Sequence, residues 1–69
     1  MTMFKRIDVT VDGRQYTVWF DAQTGEPSSI DVKVRNCASL RRVWTKNKGT
    51  PPSSQQILVI QAARDALEA

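Results

Sequence analysis

The sequence predicts an α+β fold in which a three-stranded antiparallel β-meander packs against one C-terminal amphipathic α-helix. Two patterns predict this fold. Apolar and polar residues alternate through the first half of the chain, and apolar residues recur with helical spacing near its end. A chain of 69 residues has room for one core, so we expect a single small domain over residues 1–69.

The first two strands are predicted as a β-hairpin over residues 4–21. Apolar residues alternate with polar ones up to Asp12 and Gly13, a pair that strongly favours a two-residue turn. With this turn, the apolar face comprises Ile7, Val9, Tyr16, Val18 and Phe20. The same register places Trp19 on the polar face, opposite Arg6.

A third antiparallel strand is predicted after a turn that ends at Gly25. Alternation resumes beyond Pro27, and the apolar positions of this strand are Ile30, Val32 and Val34. Lys33 and Arg35 then lie on the polar face together with Trp19.

The C-terminal segment is predicted to be the helix that covers the apolar face of the sheet. Thr50 followed by Pro51 is one start signal, and Ser53 with Gln56 offers a capping box as another. The expected core side of the helix comprises Ile57, Val59, Ile60, Ala63, Ala66 and Leu67. Leu58 falls at the edge of this arc, where it is either an isolated exposed residue or a contact for self-association.

Residues 36–49 leave more than one structure open. Leu40, Val43 and Trp44 have the i, i+3, i+4 spacing of a short helix, and we favour a short helix or an irregular turn over a fourth short strand. At this spacing Trp44 suits the core better than a base-stacking surface. The stretch from Thr45 to Pro52 has the composition of an exposed loop.

The composition argues against an enzyme, a metal site or a bound cofactor. The chain has no His and one Cys, so it lacks an imidazole base, a Cys-His pair and zinc-ligand spacing, and its glycines form no phosphate loop. Carboxylates at turns and strand faces are expected to be solvated: these are Asp8, Asp12, Asp21, Glu26 and Asp31.

The expected location is the cytoplasm, without membrane association. The longest apolar run, from Ile57 to Ile60, is far shorter than a bilayer span, and the N-terminal residues lack the apolar core of a signal peptide. The lone Cys37 has no partner for an internal disulfide, which favours a reducing compartment.

Charge is distributed unevenly along the chain. We call residues 33–48 the basic segment, because it carries six of the ten cations and because no acid occurs from residue 32 through 64. These cations are Lys33, Arg35, Arg41, Arg42, Lys46 and Lys48. Such a local excess attracts polyanions, so we expect a non-enzymatic binding protein whose basic segment contacts nucleic acid or a nucleoprotein. Trp19 and Trp44 add rings that suit stacking on bases.

The predicted architecture also resembles a known class of DNA-binding module. With a three-stranded meander followed by a helix, and with Trp19, Lys33 and Arg35 facing outward, the chain is similar to the N-terminal modules of phage-type integrases. Those modules lay the polar face of the sheet into the major groove. The resemblance therefore implies DNA contact through that face.

Two other functions fit the same sequence. The first is a phage-type inhibitor or adaptor, similar to anti-defence and anti-CRISPR proteins. Its basic face would block a host protein complex by binding an acidic patch or a nucleic-acid site on that complex. The second is a structural homo-oligomer assembled through Leu58 or through an unpaired edge strand.

Overall fold

The computed structural model describes residues 3–34 and 39–68. Four strands form one antiparallel sheet in which each strand pairs with the next one in the chain, and a short 3₁₀ turn and a helix follow. In chain order the elements are β1 (Phe4–Val11), β2 (Arg14–Asp21), β3 (Pro27–Lys33), β4 (Leu40–Thr45), the 3₁₀ turn (Lys46–Lys48) and α1 (Ser54–Glu68). The α+β prediction is confirmed.

The hairpin of β1 and β2 has the predicted turn and register. Asp12 and Gly13 both adopt positive φ, 53° and 76°, as a type I′ turn requires at its two central residues. Arg6 pairs with Trp19 across the two strands, as the sequence predicts. The turn thus determines which side chains of β1 and β2 share a face.

The helix favoured for the region before the 3₁₀ turn is wrong, and the alternative, a fourth strand, is correct. β4 pairs with β3, and Ile30 lies opposite Trp44 whereas Asp31 lies opposite Arg42. Val43 is therefore the extra residue of a β-bulge. The bulge turns Trp44 and Arg42 to opposite faces although they are two positions apart. It also breaks the period-two alternation by which a strand is recognised from sequence.

The helix α1 begins at the second of the two predicted start signals. The Ser53 amide donates to Gln56 Oε1 at 2.8 Å, and the Gln56 amide donates to Ser53 Oγ at 3.3 Å. This reciprocal capping box satisfies two amides at the helix N-terminus. The signal at Thr50 and Pro51 does not start the helix, and the Thr50 carbonyl instead accepts the Trp44 indole N–H at 2.9 Å.

The core lies between α1 and the inner face of the sheet, mainly beside β1 and β2. Its buried apolar residues are Tyr16, Val18, Phe20, Ile30, Val59 and Ala63. Because the helix contacts only part of the sheet, the buried arc of α1 is narrower than the sequence predicts. Ile57 and Ala66 are exposed, so their assignment to the core is wrong. Leu58 is exposed, as expected.

The packing of α1 predicts opposite effects for two adjacent substitutions. Val59 is 0% exposed and Leu58 is 56% exposed. Val59→Ala removes buried methyl groups and leaves a cavity, so it should lower the free energy of unfolding by about 2 kcal/mol. Leu58→Ala should change it by less than about 0.5 kcal/mol. Urea unfolding followed by circular dichroism measures both values, and equal losses would mean that α1 packs through another face.

Candidate nucleic-acid interface

A buried carboxylate lies at the centre of the outer face, which is the face of the sheet opposite α1. Asp31 Oδ2 accepts the Trp19 indole N–H at 3.1 Å, and Asp31 Oδ1 accepts Arg42 Nε at 3.0 Å. Asp31 is 6% exposed, so its predicted solvation is wrong, because Trp19 and Arg42 cover it from the two neighbouring strands. This carboxylate connects β2, β3 and β4 through side chains.

Trp19 is fixed on the outer face by two charged neighbours. Besides its hydrogen bond to Asp31, its ring has the Arg6 guanidinium carbon 5.8 Å from the ring centroid, within the range of a cation–π contact. Arg6 Nε in turn donates to Asp8 Oδ1 at 3.2 Å. These contacts explain how an indole is accommodated among polar side chains.

Asp8 completes the charged row on β1. The Thr17 hydroxyl donates to Asp8 Oδ1 at 2.7 Å. This hydrogen bond, with a smaller contribution from Arg6, holds the pKa of Asp8 below its ordinary value although partial burial opposes the shift. The carboxylate is therefore stabilised in its charged form.

An ion pair between Lys46 and Glu26 connects the 3₁₀ turn to the loop before β3. Lys46 Nζ lies 2.7 Å from Glu26 Oε2. The hydrogen bond and the opposite charge lower the pKa of Glu26 and raise the pKa of Lys46. Together with the Arg42–Asp31 pair, this contact brings acids from outside the basic segment against two of its cations. The basic segment contains no acidic residue in its sequence, but in the folded protein two of its cations contact carboxylates from other parts of the chain.

The remaining predicted site residues have different surroundings. Trp44 is partly buried against the core and its indole N–H is bonded to the Thr50 carbonyl, which agrees with a core role. Lys48 is exposed and lines a groove with Trp44 beside the start of α1. Arg35, which the sequence places on the outer face, lies outside the described residues, as does Cys37.

Three cations converge at the end of the sheet where β3 ends and β4 begins. Arg14, Lys33 and Arg41 line an open groove of about 690 Å³, which we call the cationic groove. Within the ranges 3–34 and 39–68, none of the three side chains makes a hydrogen bond or an ion pair. One carboxylate, Asp12, also lines the groove, and its Oδ2 accepts Gln55 Nε2 at 3.0 Å.

Sequence reasoning missed Arg14 as a member of this group. Arg14 belongs to the acidic first part of the chain, far from Lys33 in sequence. In the sheet, Tyr16 pairs with Val32, so Arg14 comes next to the strand end that carries Lys33. The register of β2 with β3 brings Arg14 to this end of the sheet, and a count of charges along the chain does not show it.

Comparison with protein-family models, with curated proteins and with solved structures finds no match to this chain. The fourth strand also extends the three-stranded element order on which the resemblance to integrase modules rests.

No helix in the described part of the chain is long and apolar enough to cross a membrane. Among the same residues, no cluster of three or more His, Cys, Asp or Glu is placed to hold a metal ion. Function is therefore inferred from the geometry of the surface.

The bonds of Asp31 predict a large effect for its removal. Asp31→Ala leaves the Trp19 N–H and the Arg42 Nε without their shared acceptor, which should lower the free energy of unfolding by about 2 kcal/mol. In a Trp44→Phe background, the Trp19 emission should also shift to the red. Asp65→Ala is the matched control, because Asp65 is exposed and accepts only a long bond from Gln61, 3.4 Å. A similar loss in both variants would exclude a special role for Asp31.

The lowered pKa of Asp8 predicts a small acid-dependent contribution to stability. A carboxylate whose pKa is depressed on folding stabilises the protein above its unfolded pKa, and this contribution is lost as the pH falls through the folded pKa. The difference in unfolding free energy between wild type and Asp8→Asn should therefore shrink as the pH is lowered from about 5 to about 2. At the higher pH it should be under about 1 kcal/mol, because the Asp8 side chain is largely exposed. Thermal unfolding across this range measures it, and a difference that grows on acidification would contradict the assignment.

Proposed function

We propose that this protein is a non-enzymatic, cytoplasmic binding protein that contacts the phosphate backbone of nucleic acid through the cationic groove. The observation that carries the proposal is the convergence of Arg14, Lys33 and Arg41 on one open groove without ion-pair partners in the described ranges. Unpaired cations on a surface keep their field for an external anion.

The chemistry of the three side chains suits phosphate. Two are arginines, whose planar forks donate two parallel hydrogen bonds to phosphate oxygens, and Lys33 supplies a point charge. They come from three different strands, so a rigid sheet sets their spacing. The single carboxylate in the groove, Asp12, is held by Gln55 and leaves the cations in excess.

The pairing of two other cations of the basic segment, Arg42 and Lys46, supports this choice of surface. Arg42 and Lys46 are each bonded to a carboxylate, so an external phosphate gains less from them than from free cations. Trp44 is engaged with the core and with Thr50. The proposed site therefore keeps Lys33 and Arg41 from the predicted set, adds Arg14, and gives Arg42, Lys46 and Trp44 structural roles.

A protein inhibitor is the second candidate, and one observation favours it. Val34 and Leu40, exposed by 38% and 39%, lie beside the cations at the same end of the sheet. Apolar side chains next to positive charge suit an acidic protein surface as well as a nucleic acid.

Self-association through the edge of β4 receives no such support. The bulge at Val43 interrupts this edge, and the Val43 carbonyl accepts Gln56 Nε2 at 3.3 Å. A bulge, a side-chain cap and neighbouring arginines are features that oppose pairing with another strand.

The cationic groove predicts a specific loss of affinity and of salt dependence. The double variant Arg14→Gln, Arg41→Gln should bind labelled oligonucleotides at least about tenfold more weakly at low salt. The magnitude of its slope of log K against log salt concentration should fall by about two, one for each phosphate contact that is lost. Fluorescence anisotropy over a salt series measures both quantities.

The matched control removes two positive charges elsewhere, in the double variant Lys5→Gln, Lys46→Gln. It should retain nearly the affinity of the wild type. Equal losses in the two double variants would mean that net charge, not the groove, drives binding. Wild-type affinity weaker than about 100 μM at low salt, or an affinity unaffected by salt, would overturn the nucleic-acid function. Salt-resistant binding to one protein complex would favour the inhibitor.

A further inference from the structure

A recess lined by two aromatic residues lies on the outer face, at the end of the sheet opposite the cationic groove. The recess has a volume of about 300 Å³ and is lined by residues of all four strands and of the 3₁₀ turn. Phe4 and Trp19 are its aromatic members, and we call it the aromatic recess. We propose that it accepts an unpaired nucleobase, so that the nucleic acid bound by this protein is single-stranded; this inference rests on the proposed function.

Phe4 is an apolar ring on the polar face of the sheet. Its side chain is 49% exposed and does not belong to the core or to the residues packed against it. Phe4 pairs with Asp21 and is therefore the diagonal cross-strand neighbour of Trp19, within reach of an aromatic side chain. Two aromatic side chains that line the same recess offer apolar surface to a third planar group.

Trp19 is held in place before any ligand arrives. Its N–H is bonded to the buried Asp31 carboxylate, and Arg6, which does not line the recess, lies over its ring. A ring that is already ordered loses little conformational entropy when a base stacks on it. The recess thus has one fixed aromatic wall and one exposed aromatic wall.

The recess also has a polar lining. Ser28, Ser29 and Thr45 belong to it, and a hydroxyl group can both donate and accept hydrogen bonds. At the rim, the bond from Arg42 Nε to Asp31 orients the guanidinium, and the two terminal amino groups of Arg42 have no hydrogen-bond partner among the described residues. Hydroxyls and a fork of donors match the polar edge of a nucleobase, whereas the rings match its faces.

The position of the recess suits a strand that also reaches the cationic groove. Lys33 lines the groove, and Ser29 lines the recess on the same strand, four residues away, or roughly 13 Å at about 3.3 Å per residue. A single strand lying along β3 would place phosphate at one end and an unstacked base at the other. In a duplex the bases are stacked on their neighbours and do not enter such a recess unless they are extruded.

The test compares single-stranded and duplex oligonucleotides of about ten nucleotides by fluorescence anisotropy. Phe4→Ala and Phe4→Leu should each weaken binding of the single strand by between about 5-fold and 100-fold, as expected for the loss of stacking on one base, and should leave duplex binding unchanged. Phe4→Trp should retain the affinity. Leu58→Ala, which removes an exposed apolar side chain from α1 on the other side of the sheet, is the matched control and should change neither affinity.

Trp19 fluorescence supplies a second measurement, made in the Trp44→Phe background so that one indole remains. The single strand should quench Trp19, and an oligonucleotide of abasic residues with the same charge should not. Two results would overturn the role of the recess in base binding: unchanged single-strand affinity in Phe4→Ala, or quenching of Trp19 by polyglutamate but not by the single strand. The groove variants would still test the proposed function in either case. A wild-type protein that binds neither strand would overturn both.

Discussion

One helix covers about half of this four-stranded sheet because the helix is narrower than the sheet. The difference in width decides which side chains of the inner face stay exposed. A helix with its side chains is about 10 Å across, and neighbouring strands are about 4.8 Å apart, so α1 is wide enough for two strands. It lies mainly on β1 and β2. At the far corner of the inner face, where β3 ends and β4 begins, Val34 and Arg41 are therefore left exposed.

The charges of the sheet are arranged by contacts between its strands and loops. Asp31 on β3 accepts from Trp19 and Arg42 on the neighbouring strands, and Glu26 in the loop before β3 accepts from Lys46 in the 3₁₀ turn. These pairs occupy Arg42 and Lys46 at the end of the sheet that carries the 3₁₀ turn, whereas Lys48 in that turn forms no ion pair within the described ranges. Three further cations without such partners there, Arg14, Lys33 and Arg41, lie together at the opposite end. The grouping of these three cations follows the strand pairing rather than the sequence.

Local patterns predicted the hairpin, the third strand and the helix because each has a strong signal close in sequence. Asp12 and Gly13 specify the turn and register, and Ser53 with Gln56 specifies the helix start. The fourth strand was harder to predict because its bulge at Val43 imitates helical spacing, and only pairing with β3 reveals it.

The candidate site was only partly predictable, for a related reason. A charge count along the chain identifies Lys33 and Arg41 but includes Arg42 and Lys46, whose acidic partners are distant in sequence. Arg14 enters the site through the register of β2 with β3, and Phe4 enters the aromatic recess through the register of β1 with β2. Contacts between residues far apart in the chain thus decide which charged and aromatic side chains are free.

Anion binding at the end of the sheet where β3 ends and β4 begins can be measured in the amide NMR spectrum of ¹⁵N-labelled protein titrated with a short oligonucleotide. The largest chemical-shift changes should occur at Arg14, Lys33 and Arg41, and they should reverse progressively as salt is added. Changes confined to the exposed side of α1, at residues such as Gln61 and Asp65, would contradict binding at that end of the sheet.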